Sequence, residues 1–441
     1  MGTVNETSTT ETGATQTTSS GAALAASVTV DGDRLWRRLM ALAEIGATPK
    51  GGCDRQALTE LDRQGRELLT RWCEAQGLSV RFDAIGNLFA RRTGADDSAD
   101  PIVIGSHIDT QPTGGKFDGC FGTLAALEVI QTLNDSNIRT ARPLELVAWT
   151  NEEGCRFSPC MMGSGVFTGK LTLADAHSRT DTKGVTAGEA LEAIGYVGVD
   201  ADCPRRFAGY LEAHIEQGPI LEDEGKTIGV VTGALGLKWF DVTVTGMAAH
   251  SGSTPMHLRH NALLGATRIV ETVECIAQAH QPDGRGTVGA FQVSPNSRNV
   301  IPGEVSLSVD FRHSEGRELA AMVAAFERGL EAIAAESGLE IGSRITADYP
   351  PQHFDTTCID AVRRGATAQG YSHRDIVSGA GHDAVFVSDV APAAMIFIPC
   401  EKGISHNEAE YATPEDVSAG ANVLLRAALE LAGVSSTEEG A

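Results

Sequence analysis

Apolar and polar positions along the chain fall into stretches of different period. Short apolar runs, Pro101-Ile102-Val103-Ile104 leading to His107 and Leu144 to Thr150, read as buried strands. Around them, apolar residues recur at helical spacing over Arg34 to Glu44, Ala57 to Ala75 and Phe121 to Leu133, with short strands expected at Leu78 to Ala84 and Leu88 to Arg91. Gly122, Ala125 and Ala126 leave the third of these helices room to pack closely. Strands alternating with helices of this length predict an α/β fold with a mostly parallel sheet covered by helices on both faces.

The texture changes near Gly233. The stretch "LKWFDVTVTGMAAHSG" joins Trp239 and Phe240 to a β-branched run, a helix is expected from Asn261 to Gln278, and "EVSLSVDFRH" alternates strictly at Val305, Leu307, Val309 and Phe311. This pattern predicts an inserted α+β module of antiparallel strands, one face wet and the other packed on a helix. It is expected to end in "DYPPQ", after which the parallel pattern returns with a helix from Cys358 to Ala368 and a strand from Ala394 to Pro399. A last helix opens at Thr413-Pro414-Glu415-Asp416, where Thr413 can cap, Pro414 loses no hydrogen bond and the acids suit the positive helix end. The expected division is therefore a tail over 1–30, an α/β domain built from 31–232 and 352–441, and an inserted domain over 233–351.

Composition narrows the function. A net charge of −23 repels phosphate backbones and acidic membrane surfaces, so neither nucleic acid nor membrane is an expected partner. The opening "MGTVNETSTTETGATQTTSSGAALAAS" offers almost nothing large to bury and reads as a disordered tail; it lacks the basic start and apolar middle of a signal peptide. With no uncharged run of 18 apolar residues, a cytoplasmic location is the expectation. Nine scattered cysteines do not form the framework of a small secreted domain, and Cys155 and Cys160, whose separation does not match a zinc knuckle, read as ordinary thiols.

The chemistry collects at strand ends. In "GSHIDTQPTGGKFDG", His107 and Asp109 are two apart and point together from the carboxyl end of a strand, where open α/β sheets bind ligands. His107 can bind a metal while Asp109 fixes its tautomer, and Asp118 lies in a glycine-rich turn that allows a carboxylate to approach closely. The second strand ends in "AWTNEEGCRF", where Glu152 and Glu153, as adjacent residues, should face opposite sides and divide metal binding from substrate contact. Further histidines stand in polar contexts in "LEAHIEQGP" (His214, Gln217), "AAHSGSTPM" (His250) and "GISHNEAE" (His406). Each alone is more often a hydrogen-bonded structural group than a ligand. Together, His107, His214, His406, Asp118 and Glu153 make an imidazole and carboxylate set suited to Zn²⁺ or Mn²⁺, in which one bridging aspartate would serve two ions.

These motifs, in this order, resemble the dinuclear metal amidases of the N-carbamoyl-L-amino acid hydrolase, β-ureidopropionase and allantoate amidohydrolase branch, relatives of the aminoacylase and carboxypeptidase clan. The resemblance runs from about Asp31 to about Gly433 and rests on "GSHIDTQPTGGKFDG", "TNEEGCRF", "MMGSGVF", "EAHIEQGP", "SRNVIPGEV" and "GISHNE". It implies two divalent ions (Zn, Mn, Co or Ni) held by His107, His406, Glu153 and His214 and bridged by Asp118, with Glu152 as general base. It implies a cis peptide after Asp118. It also implies that the inserted domain is a dimerisation or lid domain, that His250 stabilises the oxyanion from the partner subunit, and that Gln217, Asn299, Arg312 and the backbone at Gly379 and Ala380 hold the substrate. Ser251 departs from the alanine usual after that histidine. Apart from the resemblance, Arg312 on its alternating strand fits an ordinary ion pair on an exposed face, and Asn299 a turn before Pro302.

The implied activity is hydrolysis of the carbamoyl C–N bond of N-carbamoyl-L-amino acids or N-carbamoyl-β-alanine, small anionic ureido substrates. Allantoate is the alternative, a dipeptidase or aminoacylase a more distant one. A binding protein that kept the fold and lost the chemistry would lack a ligand or the base, and here none is missing.

Overall fold

A computed structural model of the protein describes residues 27–199 and 206–435. The expected tail lies outside the described residues as far as residue 26; Val30 is already buried, its N–H donating to Asn422 Oδ1 at 3.0 Å. Packing divides the described residues into two compact units, one formed by those up to Thr232 with those from Phe354 onward and the other by Gly233–His353.

In the first unit, helix α1 (Gly32–Ala43) starts where Asp31 accepts the Arg34 N–H, and α2 (Glu60–Ala75) where Thr59 accepts that of Asp62. The cap at Thr59 sets the start of α2 three residues later than the apolar pattern suggests. Strands β1 (Ser79–Phe82) and β2 (Leu88–Arg92) lead to β3 (Ile102–His107), helix α3 (Cys120–Asp135) and β4 (Leu144–Trp149). Three short helices at Met162–Phe167, Leu173–Ser178 and Ala187–Ile194 form a small core of their own around Phe157, Met162 and Leu191 before β5 (Gly209–Ile215) and β6 (Ile228–Ala234).

The second unit continues with β7 (Gly236–Thr245), β8 (Ala249–His250), α4 (Ala262–Ala279), β9 (Arg285–Ser294), β10 (Val300–Ile301), β11 (Glu304–His313), α5 (Gly316–Ser337), β12 (Glu340–Tyr349) and β13 (Gln352–His353). Its sheet has the antiparallel order β12-β7-β11-β9. Val305, Leu307, Val309 and Phe311 of β11 point into a core with Ile269 of α4 and Met322 and Phe326 of α5, while Trp239 and Ile345 remain exposed. The strict alternation in the sequence is thus the signature of a sheet with one packed face. Gln352 and His353 of β13 run antiparallel to Ala234 and Gly233, so this unit begins and ends on one short pairing.

The chain then completes the first unit with α6 (Thr356–Ala368), β14 (His373–Ser378), β15 (Ala393–Ile398) and α7 (Pro414–Ala432). As the sequence suggests, Thr413 caps α7 by accepting the Asp416 N–H at 3.1 Å. The sheet order is β1-β2-β4-β3-β5-β15-β6, with β14 on β6. Its centre, β4-β3-β5-β15, is parallel, and antiparallel pairs flank it. Every residue of β3, β4, β5 and β15 is buried, so both faces of the sheet are covered, although Glu145 in β4 and Glu212 and His214 in β5 interrupt the apolar runs. Helix α3 lies unusually close to the sheet: a Cβ on Gly122 would stand 2.1 Å from the Ala213 carbonyl oxygen of β5.

Candidate active site

The parallel centre of the sheet brings the site together. β3 pairs in register with β4, His107 opposite Trp149, so the loops that follow both strands leave the sheet at one level. β5 lies on the other side of β3 and carries His214; β15 lies beside β5, with Phe397 opposite His214, and the chain after it reaches His406. Four neighbouring strands therefore deliver chemistry at their carboxyl ends, where doubly wound sheets bind ligands.

Asp118 sits at the centre. Its Oδ1 lies 3.1 Å from His214 Nε2 and 3.6 Å from His107 Nε2, and its Oδ2 lies 3.4 Å from His406 Nε2. His406 Nε2 is also 3.2 Å from Glu153 Oε2. Two groups able to hold a metal ion result, His107 with Asp118 and His214, and Asp118 with Glu153 and His406, and Asp118 belongs to both. Nδ1 of His107 and Nδ1 of His214 each lie 2.9 Å from a backbone carbonyl, of Asp109 and Ile215 respectively. Both rings therefore turn Nε2 toward Asp118, and His107 Nε2, fully buried, has no hydrogen-bond partner. A buried ring nitrogen without a partner, aimed at a carboxylate shared by two triads, is a donor set that fits divalent metal ions.

The electrostatics agree with the geometry. Burial opposes the charge of Asp118, yet His107, His214 and His406 hold its carboxyl well below the usual range. His406, hydrogen-bonded to Asp118 and Glu153, is pushed up to about 10. Glu152 is raised well above an ordinary carboxylate by burial and by the charges of Asp383, Glu153 and Asp118, although His107 opposes this. Its Oε2 lies 3.5 Å from His107 Nε2.

The structure corrects three expectations. The Asp109 carboxylate stands 3.8 Å from His107 Nδ1, and the Asp109 carbonyl orients the ring instead. The carboxylate accepts the backbone N–H groups of Glu152 and Glu153, at 3.3 and 3.2 Å, and so fixes the acidic loop. Glu152 and Glu153 do not face opposite sides: β4 ends at Trp149, Asn151 turns the chain with φ 56°, and both carboxylates approach the same cluster. No cis peptide follows Asp118; the cis bonds among the described residues all precede proline. The turn is made by Gly119 at φ 63°, where a Cβ would lie 2.3 Å from the His107 ring, so only glycine leaves the imidazole its place.

Gln217, also at positive φ, donates from Nε2 to Asp118 Oδ2 at 2.7 Å and so belongs to the cluster. Gly379 and Ala380 lie in the loop after β14, where the Ala380 N–H and carbonyl both bond the Ser378 hydroxyl. His250, Asn299 and Arg312 belong to the second unit. Within it His250 and Asn299 are brought together, the Ser251 N–H donating to the Asn299 carbonyl at 3.0 Å. His250 Nδ1 accepts the N–H groups of Gly252 and Ser253, so Nε2 carries the proton and is a donor. Arg312 forms an ion pair with Asp310 at 2.8 Å on its own strand.

Several residues of the site carried no role in the sequence reading. Gln111 donates from its backbone N–H and its amide to the two Glu153 oxygens, at 3.1 and 2.7 Å. The His382 ring packs 4.4 Å from that of His214, and burial lowers its pKa well below the ordinary value. Asp383 accepts a hydrogen bond from Ser164, deep in the unit. Glu410, raised to about 7 by burial and by the charge of Asp118, accepts the N–H groups of Phe117 and Asp118. The signal for Glu410 was its place four residues after His406, but only the fold shows what it touches.

The family model for peptidase family M20/M25/M40 matches residues 103–430. An N-carbamoyl-L-amino-acid amidohydrolase of Rhizobium meliloti is 47% identical over 405 residues, which cover 92% of this chain and 97% of that protein. A ureidoglycolate hydrolase of Arabidopsis thaliana is 34% identical, over 91% of this chain and 87% of its own. Among solved structures, an amidase of the hydantoinase/carbamoylase family from Burkholderia multivorans superposes with a TM-score of 0.90 at 55% identity, over 92% of this chain and 99% of that one. The chain thus belongs to peptidase family M20/M25/M40, and within it to the amidohydrolases that cleave amide C–N bonds.

Proposed function

We propose that the protein hydrolyses the carbamoyl C–N bond of N-carbamoyl-L-amino acids or N-carbamoyl-β-alanine, giving the amino acid, carbon dioxide and ammonia. The observation that carries this reading is Asp118 shared by two ligand triads beside Glu152. The R. meliloti relative supports the carbamoyl class of substrate.

In this reading His107, His214 and Asp118 would hold one divalent ion, and Asp118, Glu153 and His406 would hold a second. The bound ions would polarise the scissile carbonyl and acidify the attacking water. Glu152, held in a buried pocket that raises its proton affinity, takes the proton of that water and returns it to the leaving nitrogen. Asp109 keeps the Glu152 and Glu153 backbone in place for this transfer. Gln217, Asn299, Arg312 and the backbone at Gly379 and Ala380 are read as substrate contacts, Arg312 exchanging Asp310 for the substrate carboxylate. His250 Nε2–H is read as the donor to the developing oxyanion, and the second unit as the dimerisation surface.

The test is ammonia release by metal-loaded protein from N-carbamoyl-β-alanine, a panel of N-carbamoyl-L-amino acids and allantoate. Preference for a carbamoyl amino acid is expected. Preference for a ureide is the second reading, favoured by the A. thaliana relative, and inactivity on both classes would overturn the first and the second alike. Glu152→Gln is expected to lower kcat by about 10²-fold or more while metal content is unchanged; retained turnover would show that the base lies elsewhere.

A further inference from the structure

Two segments almost 300 residues apart meet on one carboxylate. Glu410 is 4% exposed, and its Oε1 accepts two consecutive backbone N–H groups, of Phe117 and Asp118, each at 3.0 Å. Its Oε2 lies 2.9 Å from the Ser405 hydroxyl, and that hydroxyl lies 2.9 Å from Asp118 Oδ2. Gly115 makes the approach possible, since a Cβ there would stand 2.0 Å from Glu410 Oε1. The neighbours on either side pack as well: Phe117 meets Tyr411 edge-on with ring centroids 6.0 Å apart, and Trp36 lies 5.6 Å from Phe117.

The consequence is geometric. Asp118 presents Oδ1 to His107 and His214 while presenting Oδ2 to His406, which leaves its side chain one useful orientation. Glu410 fixes the Asp118 backbone through its N–H, and the Ser405 hydroxyl, whose single proton serves one carboxylate at a time, stands between Glu410 Oε2 and Asp118 Oδ2. Ser405 directly precedes His406, so the same carboxylate also sets the segment that carries a ligand of the second triad. Groups that orient ligands without touching the ion commonly change metal affinity by about 10- to 100-fold.

We propose that Glu410, acting with Ser405, is a positioning residue that locks Asp118 into both triads at once. The proposal rests on reading Asp118 as the shared ligand. The experiment uses the full-length protein stripped of metal and titrated with Zn²⁺ in competition with a chromophoric chelator; the visible spectrum of the Co²⁺-loaded protein reports coordination geometry. Glu410→Ala is expected to weaken binding by about 10- to 100-fold and to alter the Co²⁺ spectrum. Glu410→Gln, which keeps a carbonyl oxygen for the two N–H groups, is expected to restore affinity to within about threefold of the parent, because the acceptor survives. Wild-type affinity and spectrum in Glu410→Ala would overturn the proposal, as would Glu410→Gln binding as weakly as Glu410→Ala, which would assign the effect to charge. Should Glu410→Ala fail to fold, Ser405→Ala decides: an altered Co²⁺ spectrum supports the lock and an unchanged one overturns it. Asp118→Asn separates the two readings, since wild-type metal binding there would remove the shared-ligand cluster itself, whatever Glu410 does.

Discussion

At the scale of single residues, the proposed ligands are proton sites that a metal ion would have to displace. His406 is held up to about 10 by Asp118 and Glu153, so in the metal-free protein at neutral pH its ring carries a proton that the proposed binding through Nε2 would expel. The sign follows: below about pH 10, apparent metal affinity rises with pH, by about tenfold per unit for each proton released. Calorimetric titration of the metal-free protein in buffers of different ionisation enthalpy is expected to count a net release of protons, and a count of zero would contradict the geometry of His406. Residues of this kind were legible because a histidine or an acid at the end of an apolar run stands out by type and place. Glu410 and Gln111 did not stand out, because their roles depend on which distant segment folds against them. Arg55 is the clearest case. It is fully buried and donates to the carbonyls of Leu42, Ile45 and Ile108 and to Cys120 Sγ, a set of partners with no pattern in the sequence.

At the scale of elements, the site is only as precise as the contact between α3 and the sheet. Gly122 faces the Ala213 carbonyl of β5 and Ser106 of β3, the residues immediately before His214 and His107. Gly122→Ala is therefore expected to destabilise the protein by about 1–3 kcal/mol through overpacking, and to weaken metal binding as well because both histidine strands shift. Thermal unfolding together with a metal titration checks both parts; a variant with unchanged melting and binding would show that α3 can retreat without cost. Most of the long elements were readable, since strands buried on both faces leave apolar runs, as before His107 and at Ala394 to Pro399, and a capping residue marks the start of α7 at Thr413; β5 was not, because Glu212 and His214 interrupt its apolar pattern. The exact turns were not. Asn151 and Gly119 set the acidic loop and the Asp118 turn through positive φ, a property that residue type permits without requiring it.

At the scale of the whole molecule, the described residues contain no helix long and apolar enough to cross a membrane. The chain carries 58 acidic against 35 basic side chains, which disfavours polyanionic partners. The second unit is one uninterrupted stretch with its own core of Phe240, Phe311 and Phe326. A fragment spanning Gly233–His353 is expected to fold by itself and to unfold in one cooperative transition, measured by near-ultraviolet circular dichroism against denaturant; a broad, non-cooperative melt would show that its core depends on the rest of the chain.

The pairing of Ala234 with Gln352 carries a consequence for engineering. A stretch that leaves a sheet and returns to it through adjacent, antiparallel residues has both ends at one doorway, so it can be cut out and the gap closed by a tight hairpin turn without stretching the flanking backbone. The same doorway accepts grafts: any domain whose termini lie a strand spacing apart, about 4.8 Å, could be transplanted there. The junction is a natural socket at which new recognition surfaces can be exchanged while the metal-binding sheet keeps its register.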